Sequence, residues 1–117
     1  MVAAVHHNVS MNPTAEFFTP LAGTVFTVET LAGPIPLQLE GCTEMPRHGL
    51  PETFRAPLSL IFSGPQQPVL PQDNYYVDHP AMDRQVWCIA PTMPPLPGVA
   101  NAIATPPGTR RYQVLFT

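Results

Sequence analysis

The sequence predicts a mainly β protein, a small antiparallel barrel or sandwich of about six strands with one short N-terminal helix. Two observations carry this. Apolar residues recur at every second position in successive short runs, which is the period of a half-buried strand. Seventeen prolines, roughly three times the usual share of about 5%, fall largely at the ends of those runs and in the corners between them. Proline there lowers the entropy of the unfolded chain and discourages unwanted strand pairing, and it is incompatible with long helices.

Taken in order, Met1 to Asn12 is a tail without a charged side chain, and residues 13–117 form a single β-domain. Asn12-Pro13 is a helix opening, an N-cap followed by proline. The helical turn from Pro13 to about Leu21 places Phe17, Phe18 and Leu21 against the sheet, and Gly23 closes it. Thr24 to Thr30 is the first strand, with Phe26 and Val28 inward. Ala32-Gly33-Pro34 turns the chain into a second strand with Ile35, Leu37 and Leu39 inward, and Pro36 marks it as an edge candidate. Thr43 to Phe54 is a polar loop.

Leu58, Leu60 and Phe62 alternate with Ser59, Ile61 and Ser63 in a third strand, which is central because Ile61 makes both faces partly apolar. Gly64-Pro65 stops it, and Asn74 to Asp78 follows as a fourth strand, with Tyr75 and Val77 on one face and Tyr76 on the other. These two are expected to form the hairpin around which the fold is organised. Arg84 to Ala90 is a fifth strand with apolar residues on both faces, Val86 and Cys88 opposite Trp87 and Ile89. Pro91 to Gly108 is a long loop. Arg110 to Thr117 is the last strand, with Tyr112, Val114 and Phe116 on one face and Leu115 on the other.

Charged residues make up 11% of the chain, against about 25% in an average globular protein. There is no lysine; Arg47, Arg55, Arg84, Arg110 and Arg111 supply every fixed positive side-chain charge. A net charge of −3 with so few cations argues against nucleic acid, which requires a basic patch. It also leaves little repulsion between copies, a property that suits proteins packed against themselves. Neither a secretory signal nor a membrane span is legible: the apolar run near Met1 is short, and the charge-free run Gln85 to Thr109 is broken by prolines. The final compartment is not legible; cytoplasmic synthesis with extracellular or tail-like assembly is compatible with these features. Cys42 and Cys88 match no zinc or redox spacing; they could pair if their strands are neighbours, and two buried free thiols are the default expectation.

The constellations of chemically capable residues are weak. Asp73, Asp78, Asp83 and His79 do not have the spacing of a calcium loop and sit where turns favour aspartate. His6, His7, His48 and His79 are too scattered for zinc. Glu44 and Glu52 around His48 could form an acid pair, but a solvated loop balanced by Arg47 is the simpler reading. Catalysis, cofactors and metals are therefore not expected. Tyr75, Tyr76 and Trp87 are the residues that would line a glycan- or peptide-binding face. The interface candidates are Val2, Val5 and Val9 in the tail, Pro94, Pro95, Leu96 and Val99 in the long loop, and Tyr112 and Leu115 on the last strand.

The pattern Phe18-x-x-Leu21-x-Gly23-x-x-Phe26, then Pro57 to Pro65, Leu70-Pro71-Gln72, Tyr75 or Tyr76, His79-Pro80 and Tyr112 to Phe116, resembles an uncharacterised bacterial domain-of-unknown-function family. The resemblance runs from Met11 onward. It implies a compact β-domain whose genes neighbour those of phage-tail-collar or microcystin-dependent-type fibre proteins, and hence a structural or accessory role in a tail-like or surface fibre assembly. The partners it implies are further copies of the chain, as an oligomer or filament, or a collar-type fibre protein. Asp83 stands where the family pattern carries glycine after the His-Pro turn.

Overall fold

A computed structural model describes residues 13–45, 56–99 and 102–117. The chain opens with α1 (Ala15–Phe18), which runs into a 3-10 turn, Thr19–Leu21. Asn12 lies outside the described residues; Thr14 is the N-cap, its Oγ1 accepting the Phe17 N–H at 3.1 Å. Gly23 leaves the turn at φ +87°, a conformation that a side chain disfavours.

Six strands follow: β1 (Val25–Thr30), β2 (Gly33–Glu44), β3 (Leu58–Gly64), β4 (Asp73–His79), β5 (Met82–Pro91) and β6 (Arg110–Phe116). They close into an antiparallel barrel in the order β1-β2-β3-β6-β5-β4. The barrel and the short helix are those expected from the alternation. β1 and β2 form the expected hairpin about Leu31 and Ala32, with Thr30 opposite Gly33. Pro36 does not mark a sheet edge, because β2 lies between β1 and β3. It stands where β2 outruns β3, whose pairing begins at Gln38↔Ser63, so its missing N–H removes no rung on that side.

The expected hairpin of β3 with β4 does not form. β3 pairs with β2 and β6, whereas β4 pairs with β1 and β5. Two strands joined by eight residues need not be neighbours, and here the 65–72 connection crosses one end of the barrel. It drops Leu70 into the core, 3% exposed, and the Leu70 N–H donates to the hydroxyl of Tyr112 at 3.0 Å.

The interior holds Phe26, Val28, Leu37, Leu39, Leu60, Phe62, Val77, Trp87, Tyr112 and Val114. Phe18 closes the opposite end. Its ring is fully buried, stacked on Phe116 at 6.1 Å and edge-on to Trp87 at 5.8 Å. Phe17 and Leu21 pack behind it. β3 is buried on both faces, as its sequence suggested. Ile103 lies on the outer side against Gly41, the strand partner of Ile61, and the Arg111 guanidinium donates to the Ile103 carbonyl. A β-carbon at Gly41 would stand 3.0 Å from Ile103 Cδ1, so the glycine admits this covering segment.

Candidate interaction surface

The alternation of β4 and β5 divides the three aromatics proposed as a ligand face. Tyr75 and its cross-strand partner Trp87 point inward, whereas Tyr76, 53% exposed, points out beside its partner Val86. Trp87 is 5% exposed and touches Phe18, Phe26 and Phe116, so it is a core residue and cannot meet a ligand. The reason is simple: β5 offers two apolar faces to a barrel that can fill only one, and the larger ring takes the interior. Tyr75 is half-buried and donates to the Pro71 carbonyl at 2.6 Å. Burial pushes its phenol above the usual value, with smaller contributions from Asp73 and Tyr112.

Tyr76 anchors the one dense ionic group on the described outer surface. Arg84 binds Asp78 through two parallel hydrogen bonds, Nε to Oδ1 at 2.9 Å and Nη2 to Oδ2 at 2.8 Å. It also reaches Glu29 at 3.6 Å and lies over the Tyr76 ring, 4.9 Å from its centroid. The Arg84 hydrogen bonds hold the Asp78 carboxyl below the usual carboxylate value, with burial opposing. The acidic cluster read from the sequence does not converge. Asp78 is committed to Arg84, Asp73 accepts the Asn74 N–H at the far end of β4, and Asp83 is exposed on β5. Because Asp83 falls past the Pro80–Ala81 turn, the turn does not depend on a glycine there.

His79 belongs to a structural relay. The backbone N–H of Ala81 donates to Nδ1 at 3.0 Å, which requires that nitrogen to be unprotonated. Nε2 therefore carries the proton and donates to Thr24 Oγ1 at 2.9 Å, and the Thr24 hydroxyl donates to the Leu21 carbonyl at 2.6 Å. The ring packs on Phe26, with centroids 4.2 Å apart, and burial lowers its pKa below the usual 6.5. Glu44 is exposed at the end of β2, while His48 and Glu52 lie outside the described residues.

Among the interface candidates, Tyr112 is fully buried between β3 and β5 and is withdrawn as a surface residue; it faces inward because the strand begins its inward set there. Leu115, 51% exposed, faces out as expected. Leu96 and Val99 are strongly exposed, Pro94 is exposed and Pro95 half-buried. Val2, Val5 and Val9 lie outside the described residues. Sequence reasoning missed Val86, 59% exposed, and Cys88, which is also exposed although a buried thiol was expected. Cys42 is half-buried, and both thiols are free. The signal was present in the two apolar faces of β5, one of which had to remain outside.

Two features organise these residues. Among the described residues β5 and β6 are joined at only two positions, Ala90↔Gln113 and Pro91↔Tyr112, although each is paired with its other neighbour along nearly its full length. Val86 and Cys88 on one strand and Leu115 on the other carry apolar surface on the outside of this thin seam. At the end of the barrel crossed by the 65–72 connection, a groove of about 270 Å³ runs between the hairpin tip at Leu31 and Val69, floored by Leu70 and Tyr75. No helix among the described residues is long and apolar enough to cross a membrane.

No curated protein and no solved structure matches the chain. Residues 13–116, which are α1 and the whole barrel, match the family described as "Domain of unknown function (DUF6916)", and the chain belongs to that family.

Proposed function

We propose that the chain is a structural or accessory subunit of a fibre-type assembly, phage-tail-like or surface-borne, that associates with copies of itself or with a collar-type fibre protein through uncharged outer faces. One observation carries the association: the thin β5–β6 seam is flanked by exposed Val86, Cys88 and Leu115 in a chain with no lysine to guard a strand edge. Strand edges in soluble proteins are commonly protected by lysine, proline or bulges; here proline stands only at the Pro91 end of the seam, and the stretch beyond it favours pairing with another chain. The fibre context rests on the resemblance described above.

Light scattering and negative-stain microscopy of the purified protein test the proposal. Particles larger than one chain are expected, and Val86→Glu combined with Leu115→Glu should return them to monomers without lowering thermal stability. A monomer at high concentration that recovers no fibre protein from its host would overturn it.

The groove beside Leu31 supports a second reading, a peptide-binding β-module. At about 270 Å³ it lies just below the range of about 300–1,000 Å³ typical of small-molecule sites and suits one apolar side chain. Binding to a peptide panel that Val69→Asp abolishes would favour this reading.

A further inference from the structure

We infer that His79 is a pH-operated latch that holds the N-terminal plug in the end of the barrel. The latch ties together three parts of the chain that meet at that end: the Pro80–Ala81 turn, through the Ala81 N–H; the start of β1, through Thr24; and the end of the 3-10 turn, through the Leu21 carbonyl. Leu21 also accepts the Thr24 N–H at 3.0 Å, and α1 lies immediately before it with Phe18 seated on Phe26, Trp87 and Phe116. The relay has one direction. A backbone N–H points at Nδ1, so a proton added there meets another proton, and the imidazolium cannot keep its place in the turn. Swinging out, the ring leaves Phe26 and releases Thr24. The junction that sets the angle of the plug then loses its contact with the β4–β5 turn, and the aromatic end of the barrel opens.

Other ionisable groups on the surrounding elements do not substitute for this. Asp78, the residue before His79, and Glu29 on β1 are both bound to Arg84 on the outer face, while Glu16 on α1 and Asp83 on β5 are exposed. Among the described residues the ring nitrogens bond only Ala81 and Thr24. The lowered pKa of the half-buried ring agrees with a neutral latch. His79 thereby acts as a positioning residue for the plug.

Trp87, the single tryptophan, lies against Phe18 and reports the opening directly. Its emission should shift to the red and become accessible to acrylamide as the pH falls from 8, with a midpoint below 6.5, while the far-ultraviolet strand signal persists. His79→Gln, which keeps one donor and one acceptor but cannot titrate, should flatten the profile. A flat wild-type profile, or the same shift in His79→Gln, would overturn the inference. Should that variant fail to fold, NMR of the intact wild-type chain decides: the His79 ring and the Trp87 indole must titrate with one midpoint, and two separate midpoints overturn it.

Discussion

The Tyr112 hydroxyl accepts the backbone N–H of Leu70 at 3.0 Å, joining β6 to the connection that crosses the end of the barrel. Both residues are buried, so the bond satisfies a main-chain donor that water cannot reach. Tyr112→Phe keeps the ring and leaves that donor unpaired. The variant should lose about 1–3 kcal/mol of stability. Urea unfolding is the measurement: the midpoint should fall with the slope unchanged.

Gly64 ends β3 against Leu37 and Tyr112. A β-carbon there would stand 2.5 Å from Leu37 Cδ2 and 3.3 Å from Tyr112 Cε2, and both neighbours are enclosed. Gly64→Ala should therefore cost about 1–3 kcal/mol through overpacking. Leu37→Ala opens a cavity by itself, but combined with Gly64→Ala it removes the clash. The two losses should sum to more than the double mutant loses, a coupling read from a thermodynamic cycle.

The Asp78–Arg84 pair predicts a pH dependence of defined sign. The folded carboxyl titrates below its ordinary value of 3.8, so the unfolded chain binds more protons in that window. The contribution of the pair is complete above 3.8 and is lost as the pH falls through the depressed folded value. Asp78→Asn should thus be less stable than wild type at neutral pH and converge with it in strong acid. High salt should narrow the neutral difference, because the pair is exposed. A difference that persists unchanged in acid would show that the charge is not its source.

The thiols should react at two rates. Cys88 is exposed on β5, whereas Cys42 is half-buried, its Sγ 3.4 Å from the Thr19 hydroxyl. A thiol reagent under native conditions should show a fast and a slow phase, and Cys88→Ser should remove the fast one.

Local features of the fold were legible where they depended on near neighbours in sequence. Phe26 and Val28, Ile35, Leu37 and Leu39, and Val114 all face the core as their spacing required. Pairing between distant strands was not legible, because alternation gives a strand its inner face but not its neighbour. Proximity in the chain suggested that β3 pairs with β4, and the crossing of the barrel end defeated it. For β5 the alternation was ambiguous in itself: Trp87 and Cys88 are both apolar, and only packing against Phe18 and Phe116 decides which turns inward. Tyr112 illustrates the remaining difficulty, since a tyrosine serves an outer face or a core equally well until its hydroxyl finds a partner such as Leu70.

Each mouth of this barrel is stoppered from within its own chain, by Phe18 at one end and Leu70 at the other. Aliphatic and aromatic side chains fill the space between, so among the described residues the barrel offers no lumen for cargo of the kind that larger barrels enclose. Among the described residues, recognition is therefore left to the outer wall and to the capped ends, where the groove beside Leu31 lies.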